Sequence, residues 1–258
     1  PPESSPDPSA LATLYMGLAD TLASTPGSLP LDTVVKHLRV WLPEHPPQAC
    51  RELVTGTWTA TLTIPASERP HHYVAASRTL LSLSPIQRRR LALELFTLSN
   101  RRGTPPPPAQ RFILGVTRDL GVAPSARLRA VACLFIALGR AGGELDTLSR
   151  RALSDRLQRW RREFEDSPEP SLASDRDPQV GLALAWARAE HDVLTSSEAR
   201  RNAAYTAADE IAQFMSPERL HQLLADLWAI ADADGHINAV ERELVSEISR
   251  RFVTAKPN

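Results

Sequence analysis

The 258 residues carry 30 Lys and Arg against 30 Asp and Glu, so no global field draws the chain to nucleic acid or an anionic membrane, and any basic surface must be local. The length allows one large or two ordinary domains. An apolar fraction of 42% with aromatics at only 5% fits a soluble protein of closely packed helices and argues against a β-sandwich.

Residues 1–9, PPESSPDPS, read as a Pro/Ser-rich linker or tail, with structure beginning near Ala10. Leu14, Leu18 and Leu22, then Val34, Val35, Leu38 and Leu42, place two helices around a loop at 24–28. In 53–64, LVTGTWTATLTI, alternating threonines favour a strand, while Leu53, Val54, Trp58 and Leu62 also fit one helical face. An internal repeat decides for helix.

That repeat aligns residues 70–122 without a gap on 202–254, at a constant spacing of 132. Ser84 and Pro85 fall on Ser216 and Pro217, Leu91 and Leu95 on Leu223 and Leu227, Phe96 on Trp228, and Gly103 on Gly235. Ser as N-cap with Pro after it is a helix start, and Gln87 completes a capping box in the first copy. Residues 126–164 give a further hairpin that bends at Gly142 and Gly143 and is similar to 10–42. The predicted fold is therefore all-α: two tandem pseudo-repeated helical bundles, each built from two helix-loop-helix hairpins, spanning 10–125 and 126–258. Residues 166–178, DSPEPSLASDRDP, read as a polar loop inside the second bundle.

The last hairpin, 216–252, is the most regular. Leu220, Leu223, Leu224, Leu227, Trp228 and Ala231 form one apolar stripe, and Val240, Leu244, Ile248 and Phe252 form another. Between them lies an acidic loop, Asp232-Ala-Asp-Gly-His-Ile-Asn238. At residues 227–241 the sequence resembles the tellurite-resistance TerB family, whose hallmark is an A-D-G-x-I loop followed by a Glu at the start of the next helix. Asp234, Gly235, Ile237 and Glu241 match it. The resemblance implies a compact all-α bundle of two pseudo-symmetric hairpins and a place in a stress-response or defence assembly. The loops at 24–28, 99–103 and 139–143 lack the matching carboxylates, so a family site would survive in the last hairpin alone.

Asp232, Asp234 and Glu241 offer three hard oxygen donors for a divalent cation such as Ca²⁺ or Mg²⁺. The spacing is not that of an EF-hand, whose glycine stands at position six where Gly235 would be fourth. Against the metal reading stands a structural one, in which Gly235 supplies an unusual backbone conformation and Asn238 with Glu241 caps the following helix. The arginine clusters 88–90, 101–102, 150–151, 161–162, 200–201 and 250–251 would form a nucleic-acid track only if they converged, and they read as solvated helix faces. His71 and His72 diverge by about 100° on a helix and lack a third ligand nearby. Pro105–Pro108 reads as a stiff connector that presets the next helix.

Cys50 and Cys133 both sit in apolar helical patterns and read as reduced, buried thiols of a cytoplasmic protein. The longest apolar run, 130–138, is too short to span a bilayer. The chain opens on Pro1 without a Met, which points to a removed upstream segment or tag. With no nucleotide-binding, hydrolase, metalloprotease or CxxC motif, the expectation is not an enzyme but a scaffold that binds another protein of unknown identity, with self-association open as well. A divalent-metal-responsive sensor is the alternative.

Overall fold

The computed structural model describes residues 6–23, 29–101, 105–141, 143, 147–164 and 178–254. Among them there are twelve α-helices and no strand. The chain divides into two units, Pro1–Ala123 and Pro124–Asn258. The first holds α1 (Pro8–Leu22), α2 (Leu31–Trp41), α3 (Pro47–Leu62), α4 (Arg69–Thr79), α5 (Pro85–Ser99) and α6 (Pro107–Asp119). The second holds α7 (Ala126–Ala141), α8 (Thr147–Phe164), α9 (Pro178–Asp192), α10 (Ser197–Phe214), α11 (Pro217–Ala231) and α12 (Ala239–Thr254).

Each unit thus has six helices where two hairpins would supply four. The reason lies in its first helix. Residues 10–18 of α1 are all buried, and in α7 the apolar run 130–138 is buried apart from Cys133. A helix that is apolar all round cannot be covered by one partner. Accordingly α1 packs against α2, α3, α4, α5 and α6, and α7 against α8, α9, α10, α11 and α12. The ambiguous segment 53–64 falls in α3 as far as Leu62, with Thr63 as its C-cap, and its threonines are accommodated by bonding back into the helix: Thr59 and Thr61 donate their hydroxyls to the carbonyls of Thr55 and Thr57 at 2.9 and 2.8 Å.

Helix starts follow local chemistry. Asp7 accepts the amides of Ser9 and Ala10 at 2.9 and 3.3 Å with Pro8 in the first turn, so α1 begins two residues before the expected Ala10, and residues 7–9 are cap and helix rather than tail. Ser84 and Gln87 form the reciprocal capping box at 3.3 and 2.9 Å. Pro107 and Pro108 open α6, where their missing amides cost nothing. The start and end of α5 and of α11 are related by the same 132-residue spacing read from the sequence. The expected polar loop at 166–178 lies outside the described residues except for Pro178, which opens α9, and the bend at 24–28 also lies outside them.

Cys50 is buried, Cys133 is partly exposed, and both are uncombined thiols. Burial pushes the Cys133 thiol up to about 11. No helix among the described residues is long and apolar enough to cross a membrane.

Candidate functional site

The acidic loop is built by α11 ending and α12 beginning within a few residues. Asp232 caps α11 by donating its amide to the Trp228 carbonyl at 3.0 Å, and the Gly235 amide returns to the Asp232 carbonyl at 2.9 Å. Gly235 has φ +79, a left-handed conformation that L side chains resist. One carboxylate oxygen of Asp234 accepts the His236 amide at 2.9 Å. Glu241 is engaged in a capping box: its Oε2 accepts the Asn238 amide and its own amide donates to Asn238 Oδ1, both at 2.9 Å. Glu241 is 9% exposed.

Of the three carboxylates expected as metal ligands, Asp234 and Glu241 each accept a backbone amide. Both close backbone turns, and among the described residues no group of three or more His, Cys, Asp or Glu side chains is arranged to hold a metal ion. The donor chemistry suits Ca²⁺ or Mg²⁺, and the loop is a tight turn followed by a capped helix.

A more unusual arrangement lies where α7, α9, α10 and α12 meet. Asp192, with its side chain 5% exposed, is met by Arg140 at 2.5 Å and by Arg188 at 3.6 Å. Burial pushes the Asp192 carboxyl up, yet the pull of His191, Arg140 and Arg188 together holds it below its ordinary value. His191 is 8% exposed, and its Nδ1 lacks a hydrogen-bond partner. Its ring lines two clefts of about 330 Å³ each, one toward Cys133 and one toward Arg201 and Val240.

The family model described as tellurite resistance protein TerB matches residues 183–254. This stretch is TerB-like. No curated protein and no solved structure gave a significant match. The TerB match starts inside α9 and closes with α12, so it contains the acidic loop, His191, Asp192 and Arg200, while Arg140 lies outside it.

Within the TerB match two apolar expectations change. Trp228 is 38% exposed and Val240 50% exposed, although both lie on the stripes read from the sequence. Leu220, Leu223, Leu227, Ile230 and Ala231 face the core from α11, and Leu244, Val245, Ile248 and Phe252 from α12. A four-residue spacing advances a helix by about 40°, enough to carry Trp228 away from Leu224 toward solvent.

The arginine clusters are mixed: Arg90, Arg150, Arg151, Arg162, Arg201 and Arg250 are exposed, as expected of solvated helix faces, while others are held by specific contacts. Arg88 donates to the Leu120 carbonyl at 2.6 Å, and Arg90 lies over the Trp41 ring at 5.4 Å. Arg156 and Arg159 both reach Asp226, at 3.4 and 2.5 Å, and Arg161 is 7% exposed. Arg251 pairs with Asp209 at 2.8 Å and covers the Tyr205 ring at 4.4 Å. Arg101 is exposed and Arg102 lies outside the described residues. His71 and His72 are exposed on α4.

Two carboxylate anchors were not anticipated. Glu94 accepts from the Tyr15 hydroxyl at 2.8 Å and the Trp41 indole at 3.0 Å, and sits 2.5 Å from His37 Nδ1. Asp226 accepts the Trp160 indole at 2.9 Å. The signal available was a pair of carboxylates, at 94 and 226, separated by the same 132 residues that separate the starts of α5 and α11, on helices otherwise read for their apolar residues.

Proposed function

We propose that the chain is a non-enzymatic interaction module of two TerB-like helical units that docks a partner protein within a stress-response or defence assembly in the cytoplasm. The observation that carries this reading is Trp228. It displays 38% of its surface on α11, whereas Phe96, at the corresponding repeat position on α5, is 2% exposed. The second unit thus presents a large aromatic where the first encloses one, and tryptophan is among the residue types that dominate binding energy at protein interfaces. The uncombined thiols of Cys50 and Cys133 support a reducing compartment, and the TerB match supports the assembly context.

The experiment compares proteins captured by the wild-type chain and by Trp228→Ala, followed by calorimetry with the purified partner. The reading expects an unchanged thermal midpoint and at least about tenfold weaker binding, the scale of an interface hot spot. Equal affinity in the variant would overturn it. Sedimentation of both forms separates a second copy of the chain from a different partner.

A further inference from the structure

In the second unit, two partly buried guanidiniums face one buried carboxylate whose Oδ2 is itself without a hydrogen-bond partner, and a cleft opens beside Arg140. Asp192 faces the guanidiniums of Arg140 and Arg188, so one carboxylate answers two positive charges. The Nε atoms of both arginines are buried without a hydrogen-bond partner, a condition that costs free energy wherever nothing supplies the missing acceptor. Burial, together with repulsion from Arg140, pulls the Arg188 guanidinium below its ordinary value. His191 adds a ring that is 8% exposed, with Nδ1 unpartnered and 3.8 Å from the nearest Asp192 oxygen, beyond hydrogen-bonding distance.

The cleft of about 330 Å³ on the α12 side is lined by Arg140, His191, Arg200 and Arg201, with Glu243 as the carboxylate on its wall. Arg200 is steadied by donating Nε to the Leu194 carbonyl at 3.1 Å. Ala204, Tyr205 and Leu244 supply an apolar side. Such a volume is at the lower end for small-molecule pockets, which are mostly apolar with a few convergent polar groups. Guanidinium forks match the oxygens of phosphate, and three of them suit a dianion better than a monoanionic carboxylate.

We propose that this cleft binds a small phosphate monoester, with Arg140, Arg200, Arg201 and His191 directed at the phosphate oxygens and Ala204, Tyr205 and Leu244 packing against its organic body. The site stands independently of partner docking through Trp228. Arg140 is a poor first substitution, because its loss would leave Asp192 with one fewer buried partner and could unfold the unit. Arg201 is exposed on the first turns of α10, so its removal tests the charge without opening the core.

The full chain is titrated with phenyl phosphate, inorganic phosphate and benzoate at constant ionic strength, with calorimetry for affinity and the imidazole resonances of His191 as the local probe. The expected result is saturable binding of phenyl phosphate that moves the His191 resonances, with weaker binding of inorganic phosphate. Binding should weaken about tenfold, a difference of about 1.4 kcal/mol, in Arg201→Gln and in His191→Gln, and not in Arg250→Gln on the outer face of α12. Three results would overturn the proposal: no movement at His191, the same affinity in Arg201→Gln, or benzoate binding as tightly as phenyl phosphate.

Discussion

Glu94 on α5 and Asp226 on α11 each accept the indole N–H of a tryptophan, Trp41 at 3.0 Å and Trp160 at 2.9 Å. Both acceptors belong to the fifth helix of their unit and both donors to the second. Two further α-helices separate the paired ones along the chain, so the bond ties distant parts of each unit together. Around it the units diverge: Glu94 is also met by Tyr15 and His37, while Asp226 is met by Arg156 and Arg159.

Removing either acceptor should therefore destabilise its unit. Glu94→Ala is expected to cost about 2–4 kcal/mol, since hydrogen bonds to a charged group contribute about 1.5–3 kcal/mol and the Trp41 and Tyr15 donors would be left without an acceptor. A double-mutant cycle of Glu94→Gln with Trp41→Phe, read by urea unfolding, should give a coupling of about 0.5–3 kcal/mol. A coupling of zero would mean that the indole bond contributes nothing to tying α2 to α5.

Two helical glycines should respond with opposite signs. A Cβ on Gly17 in α1 would stand 2.6 Å from Tyr73 Cγ and 2.8 Å from Tyr73 Cβ, while one on Gly56 in α3 would meet nothing within 4 Å. Tyr73 is fully buried and its hydroxyl donates to Asp20 at 3.0 Å, so it is pinned in place. Gly17→Ala should destabilise by about 1–3 kcal/mol through overpacking, and Gly56→Ala should stabilise by about 0.5–1 kcal/mol through helix propensity. Thermal unfolding of the two variants checks the signs.

The Asp192 cluster predicts a pH signature. The folded-state carboxyl is held below its ordinary value of 3.8, so its contribution is fully present above about pH 4–5 and is lost as the pH falls through the lowered folded-state value. Asp192→Asn should destabilise at neutral pH, because the neutral amide loses the attraction of the two guanidiniums beside it. The gap between variant and wild type should close as the pH falls below 4. A gap that widened in acid would reverse the assigned direction.

For the acidic loop, the expected outcome is structural. Gly235→Ala should cost about 1 kcal/mol or more because φ there is +79. Adding Ca²⁺ or Mg²⁺ after chelator treatment should leave the thermal midpoint where it was. An ion at 100 times its dissociation constant would instead stabilise by about 2.7 kcal/mol, and a shift that disappeared in Asp232→Ala/Asp234→Ala would establish a metal sensor.

What the sequence determined by itself was everything set by near neighbours along the chain. The helices, the Ser84–Gln87 and Asn238–Glu241 capping boxes, the left-handed Gly235 and the two proline-opened turns at α5 and α6 depend on residues within four positions of each other, and such contacts leave a pattern that can be read locally. Tertiary structure decided which amphipathic faces were finally covered. Periodicity put Trp228 and Val240 on apolar stripes, yet the neighbouring helices left both partly in solvent. It also decided which charges meet. Arg140 with Asp192, and Glu94 with Tyr15, His37 and Trp41, are brought together from 52 to 79 residues apart, and no local pattern encodes such a pairing, because each charged residue alone is indistinguishable from one on a solvated helix face. His191 shows the difference most plainly: in the chain it is one histidine near the end of a helix, and only the packing of α7, α9, α10 and α12 makes it a buried ring set against Asp192 in a cleft lined by three arginines.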